Sequence, residues 1–263
     1  IYEGRYLAGI AAGMKLNELK KDGKLKGDAP VMGYVGAFTY AEVISGYTSF
    51  YLGAKSVCPD VTMKVQFTGS WYDENEEKSA AQALIASGCD LISQHADSLG
   101  APTACEDAGV PNISYNGSTY EAGENTFIIS SAINWQPYFL YIIKCANTGV
   151  AIDTDWTGSI ATGSVVLSGL NQDVAAAGTK EALEAAIDDL KSGAVKVFDT
   201  EKDNYILKDG AKVTTYTADV DTDEEFTPDT EAVVEGAFKE SIFRSAPYFD
   251  LQIDGITLVN SKF

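Results

Sequence analysis

Short apolar or β-branched runs, separated by turn residues, recur along the first half of the chain. "APVMGYVGAF" (29–38), "VTMKVQF" (61–67), "DLISQHA" (90–96) and "VPNISYN" (110–116) are each bounded by Gly, Pro, Asp or Asn, as strands are. Between the first two, Val43, Tyr47, Phe50 or Tyr51, and Ala54 recur at three- and four-residue spacing. Between the next two, "ENEEKSAAQALIASG" opens acidic and closes on Gly, so both connections predict helices. Strands starting near 31, 61, 90 and 110 define successive βαβ units, whose right-handed crossovers require a parallel sheet. The predicted fold class is α/β, doubly wound.

Further on, "ENTFIISS" predicts a strand and "WQPYFLYIIKCANTG" a helix with Pro137 in its first turn. Phe139, Leu140, Ile142, Ile143 and Ala146 of that helix are available for burial. "SVVLSGL" (164–170) predicts another strand. "TKEALEAAIDDLKSG" (179–193) predicts an amphipathic helix with Leu183, Ala186, Ile187 and Leu190 on one face and Gly193 as its cap. "DNYILKDGAKVTTYT" predicts a hairpin turning at Asp209-Gly210. Beyond it the pattern is irregular apart from a short helix near "TEAVVEGAFKES".

A chain of 263 residues that is 45% apolar and 22% charged suits one or two globular domains. With 19 basic against 38 acidic side chains its formal charge is -19, which repels phosphate backbones and anionic headgroups and argues against nucleic-acid and peripheral-membrane partners. No apolar run approaches the roughly 20 residues that span a bilayer, and the first residues lack the pattern of a signal peptide. Cys58, Cys89, Cys105 and Cys145 form no C-x-x-C pair and have a single histidine to join them, which does not fit a zinc shell. Cys58 and Cys89 each precede a strand at the same sheet end; a disulfide between them and four free thiols both stay open.

Ligands of open parallel sheets sit at the carboxyl ends of the strands. The residues leaving the four strands include Phe38 and Tyr40; Ser70, Trp71 and Asp73; Gln94, His95, Asp97 and Ser98; and Tyr115, Asn116 and Ser118. They contain no recognisable nucleophile with its base. Ser98 and Asp97 are too close in sequence to His95 for triad geometry, and G-x-S-x-G is absent. Neither a dinucleotide fingerprint nor a P-loop is present, so no cofactor is implied. Flat aromatic faces beside amides and carboxylates suit a planar, polar, neutral ligand such as a nucleobase or nucleoside. His95 reads either as a histidine hydrogen-bonded at a loop start or as a ligand contact, and Trp71 and Trp135 either as ligand contacts or as packing. "DVDTDEE" (219–225) begins like a calcium loop, but Glu224 stands where Gly is needed and Thr230 where the bidentate Glu is needed, so it reads as a solvated acidic loop. "NGS" (116–118) fits the N-glycosylation pattern.

"EGRYLAGIAAG", "MGYVGAF", "GAKSVCPDV", "TGSWYDENEEKSAAQALIASGCDLISQHADS", "GVPNISYNGS" and "SSAINWQPYF" resemble, in order and spacing, the basic membrane protein family of ABC-transporter substrate-binding lipoproteins. The likeness spans about residues 1–200, and "QHADS" with "NWQPYF" points to the branch associated with purine bases or nucleosides. It implies a type I periplasmic-binding fold, two Rossmann-like lobes with parallel sheets and a cleft between them. It implies no catalysis and no metal, but delivery of a purine nucleoside or base to an ABC permease outside the cytoplasm. Carried over, residues 1–30 and 127–150 form a partial first lobe, 31–126 and 151–202 the second, and 203–263 a hairpin and C-terminal extension. Family members begin with a further segment bearing the lipidated cysteine, the membrane anchor, and the first strands of the first lobe. The chain is therefore expected to start inside a first-lobe helix, leaving the helix 5–20 and the strand near 127 without partners. The ligand residues implied are Phe38, Tyr40, Trp71, Asp73, Gln94, His95, Asp97, Ser98, Tyr115, Asn116, Asn134 and Trp135. In that account Trp71 or Phe38 stacks on the ring, while Gln94, His95, Asp97 and Asn116 bond to its edges or sugar. A ligand sensor of the same fold, or an α/β enzyme acting on a nucleoside, is the alternative.

Overall fold

The strand runs and their helical connections form the expected alternation. Helix α1 (Tyr2–Lys21) is followed by β1 (Val31–Gly36), α2 (Ala41–Val57), β2 (Thr62–Phe67), α3 (Glu74–Ala86), β3 (Leu91–His95), α4 (Gly100–Ala108), β4 (Asn112–Tyr115) and β5 (Phe127–Ile133). After α5 (Gln136–Thr148) come β6 (Val165–Leu167) and α6 (Thr179–Ser192). Short strands then pair locally: β7 (Leu207–Lys208) with β8 (Ala211–Lys212), β9 (Thr217–Ala218) with β10 (Thr230–Glu231), and β11 (Val233–Val234) with β12 (Ala237–Phe238). Finally β13 (Ile256–Leu258) joins the main sheet. The computed structural model describes residues 1–221, 225 and 227–260. The acidic stretch 219–225 lies partly outside the described residues.

The main sheet has seven strands in the order β13-β2-β1-β3-β4-β5-β6. Neighbours are parallel throughout except β5 and β6. Helices cover both faces: Leu7, Ala11, Tyr47, Phe50 and Leu183 from α1, α2 and α6 belong to one core, and Ala81, Leu84, Ala101 and Ala104 from α3 and α4 to the other. Tyr34 of β1 enters the first core and Val35 the second, which is why this strand reads as a continuous apolar run.

The α1 and α2 backbones touch. A Cβ on Gly9 would lie 2.0 Å from the Phe50 carbonyl oxygen, and one on Gly53 would lie 2.0 Å from that of Tyr6. Only residues without a side chain permit this reciprocal approach. It seats α1 on the layer of residues 31–126, and β5 pairs with β4 on one side and β6 on the other. Residues 1–21 and 127–133, expected in a first lobe, thus share one sheet layer with β1–β4, and the helix and strand expected to lack partners have them.

Three further expectations change. Of the apolar face of α5, Phe139, Leu140, Ile143 and Ala146 are exposed and Ile142 is half-buried, because α5 leaves the sheet and meets Trp156 instead through Tyr138 and Tyr141. The helix expected near 230–241 is instead the β11/β12 hairpin. Glu235 (φ 52) and Gly236 (φ 73) both have positive φ, as a two-residue type I′ turn requires, and the β-branched pair Val233–Val234 favours a strand. The Asp209-Gly210 hairpin forms as expected with the same signature, φ 54 and φ 77. All four cysteines are free and buried, and burial pushes the Cys58 and Cys105 thiols up to about 12.

Gly9→Ala and Gly53→Ala should each lower unfolding free energy by about 1–3 kcal/mol, the usual cost of overpacking. Urea denaturation, compared with the open-site control Gly27→Ala, which meets nothing within 4 Å, checks this.

Candidate functional site

His95, the single histidine, ends β3 level with Gly36 of β1, which itself pairs with Phe67 at the end of β2. Three loops therefore leave the sheet at one height, and backbone hydrogen bonds lace them together. Ala37 N–H donates to His95 O at 3.1 Å, Gly69 N–H to Ala37 O at 2.8 Å, and Asp97 N–H to Trp71 O at 2.9 Å. The lacing produces a continuous run of ring contacts. Phe38 stacks on Tyr40 (centroids 5.0 Å apart), Trp71 meets Phe38 edge-on (5.4 Å) and lies tilted against His95 (6.4 Å), and His95 stacks on Tyr115 (3.9 Å). Tyr40 and Trp71 are 54% and 37% exposed, an open platform, whereas His95 is fully buried.

Next to the Tyr115 ring lies Arg5 of α1, also fully buried. Its guanidinium donates to Ser93 Oγ (2.5 Å), Ser114 O (2.9 Å) and Ser131 Oγ (3.4 Å). It stands 4.8 Å from the ring centroid of Phe50, 5.4 Å from Tyr34 and 5.9 Å from Tyr115. Ring faces of this kind attract a desolvated cation.

Glu42, in the first turn of α2, completes the group. Its Oε1 accepts from the Tyr115 hydroxyl at 3.5 Å and lies 3.5 Å from His95 Nε2. The His95 contact is not aligned as a hydrogen bond, and neither imidazole nitrogen has such a partner among the described residues. His95 Nδ1 faces the α2 backbone, where a Cβ on Gly46 would come within 2.5 Å of it. Burial pushes the His95 pKa down against the opposing pull of Glu42, and Arg5 adds to the downward shift. His95 foremost, with Tyr115, holds the Glu42 carboxyl below the usual carboxylate range despite partial burial. Burial raises the Tyr115 hydroxyl, so it stays a donor.

Phe38, Tyr40, Trp71, His95 and Tyr115 are thus brought together. Asp97 and Asn116 are exposed in the adjoining loops, Asn116 at a φ of 62. Three other predicted residues are engaged within the fold. Asp73 caps α3 by accepting from the Asn75 and Glu76 amides, Gln94 Oε1 accepts from Asn112 Nδ2 at 3.0 Å, and Ser98 Oγ accepts from the Gly100 amide at 3.1 Å. Asn134 and Trp135 follow β5 and line a separate hollow of about 220 Å³ with Tyr138 and Trp156, which shares no residue with the platform. Asn134 Nδ2 donates to Gly163 O at 3.0 Å. Sequence reasoning missed Glu42, although it closes the strand-end segment "AFTYAE". It missed Arg5 because its partners lie 88, 109 and 126 positions away. Among the described residues no group of three or more His, Cys, Asp or Glu could hold a metal, and no helix is long and apolar enough to cross a membrane.

Residues 1–192 match the Bmp family, described as ABC transporter substrate-binding protein PnrA-like. The chain belongs to this family. Among relatives of this Bmp member, a Haloferax volcanii protein named as an ABC transporter glucose-binding protein is 33% identical over 216 residues, 80% of this chain and 52% of the relative. A purine-binding protein of Brucella abortus is 35% identical over 148 residues, 56% of this chain and 39% of the relative. The chain therefore spans about half, or less, of the length of these curated relatives. The crystal structure of an ABC transporter solute-binding protein from Aeropyrum pernix shares the fold at a TM-score of 0.60 and 17% identity, covering 77% of this chain and 65% of that one.

The buried histidine makes this Bmp member's stability depend on pH. With its folded pKa below the ordinary 6.5, His95 binds fewer protons folded than unfolded at acid pH. Its contribution is complete above about pH 6.5 and is lost as pH falls through the depressed value, by at most about 1.4 kcal/mol per pH unit. Glu42, also held low, acts in the same sense below about 4.5. Urea midpoints measured from pH 8 to 5 should fall, and His95→Gln should flatten that fall.

Proposed function

We propose that this Bmp-family chain is the ligand-holding layer of an extracytoplasmic solute receptor of an ABC importer, which binds a purine nucleoside or base and delivers it to the permease. The observation that carries the reading is the platform of Phe38, Tyr40 and Trp71 at the strand ends, open to solvent and flanked by Glu42, Asp97 and Asn116. Aromatic faces supply stacking to any planar ring, and the flanking acceptors and amide supply direction. The name of the Brucella relative supports a purine. The platform would form one wall of a cleft closed by a second lobe, and a lipid anchor would hold the whole protein at the membrane. His95, buried, neutral and stacked on Tyr115, supports the wall and carries no chemistry. A hexose is the second reading, favoured by the name of the Haloferax relative, which matches 80% of the chain.

Native mass spectrometry of the purified protein, followed by calorimetric titration with adenosine, inosine, guanosine, adenine and glucose, separates the readings. A purine bound one per chain and recovered unchanged is the expected result. Trp71→Ala should then weaken it about fivefold or more, since stacking contributes about 1–3 kcal/mol per base. Binding of glucose with no response to any purine would sink the purine assignment.

A further inference from the structure

The two oxygens of Glu42 are not equivalent. Oε1 is occupied by the Tyr115 hydroxyl and the edge of His95, whereas Oε2 accepts no hydrogen bond from the described residues. The side chain is 43% exposed; it touches both rings of the His95–Tyr115 stack and lies two residues along the chain from Tyr40 of the open platform. Tyr115 is itself held by the Arg5 guanidinium, 5.9 Å from its ring. A carboxylate with one oxygen anchored offers the other as an acceptor at a set position, and an ionised acceptor binds O–H and N–H donors more strongly than a neutral one. It also repels anions, and Asp97 in the adjoining loop adds a second negative charge.

We infer that Glu42 is a ligand-binding and specificity-determining residue, whose Oε2 takes hydrogen bonds from donors of the bound molecule and selects neutral, donor-bearing ligands over phosphorylated ones. The inference rests on the platform being the ligand site. The donors are a vicinal diol of a sugar or an N–H edge of a base; a nucleoside carries both.

Calorimetry on wild type, Glu42→Gln and Glu42→Asp tests this with inosine, its 2′,3′-dideoxy analogue, hypoxanthine, inosine monophosphate and glucose. Wild type should bind inosine and reject the monophosphate. Glu42→Gln should weaken inosine about tenfold or more and narrow the gap to the monophosphate, because it removes the charge but keeps the length. Glu42→Asp, which keeps the charge and withdraws it, should lose affinity yet still reject the monophosphate. Loss of the Glu42→Gln effect on the dideoxy analogue assigns the donors to the diol; an effect kept on hypoxanthine assigns them to the base. If wild type binds inosine and Glu42→Gln leaves every affinity unchanged, the inference is overturned while the purine reading stands. Equal weakening of all ligands, with a lowered melting temperature of the unliganded variant, means a structural role and overturns it too. If wild type binds only glucose, the purine reading fails and the Glu42→Gln ratio on glucose decides the inference. Wild type binding none of them overturns both.

Discussion

A buried guanidinium joins the helix that opens the chain to the strands that carry the site. Arg5 reaches from α1 to Ser93 of β3, Ser114 of β4 and Ser131 of β5, and it is packed against rings from β1, α2 and β4. Taking a cation out of water costs several kcal/mol, and no acidic side chain among the described residues bonds to it. Two hydroxyls, a carbonyl and three ring faces must supply that compensation. The arrangement persists only while α1 lies close on the layer, which the glycine seam at Gly9 and Gly53 allows. Arg5 therefore couples the packing of one helix to the placement of Tyr115, and through Tyr115 to His95 and Glu42.

The upper end of the sheet is thereby made of two zones with different physics. Buried His95 and half-buried Tyr115 form a stack in which desolvation and the nearby guanidinium hold the imidazole pKa below its ordinary value. Phe38, Tyr40 and Trp71 form an open aromatic surface laced to it by backbone hydrogen bonds. In the proposed function this exposed aromatic face holds a ring without transforming it, because stacking needs a fixed plane more than it needs a reactive group. The two relatives differ in the ligand they are named for, glucose in one and purine in the other. In the proposed function one aromatic wall would serve either ring, and the hydrogen-bonding groups around it would make the choice.

Much of the fold was legible locally. Strand spacing from 29 to 116, the Asp209-Gly210 turn and the amphipathic face of α6 were all visible as periodicity or turn chemistry, and motif order pointed to the family that residues 1–192 match. The aromatic residues at the strand ends were legible for the same reason, because a parallel sheet puts the residue after each strand at the same end. Periodicity reports which face of an element is apolar, but not which surface will cover it. That limit explains why α1 was placed apart from the sheet it covers and why the apolar face of α5 was expected to be buried. It also explains the missed β13, whose Ile256 pairs with Met63 nearly two hundred residues earlier.

For the site, the sequence by itself determined the chemical types available: aromatic rings, amides and carboxylates following four strands, with one histidine among them. Only the tertiary structure decided which of these are free. Asp73, Gln94 and Ser98 satisfy backbone or side-chain groups inside the fold, while Glu42 keeps an oxygen open. A polar side chain's role depends on whether its hydrogen-bonding capacity is already used, and the groups that use it belong to elements far apart in the chain, as the distant partners of Arg5 show most directly.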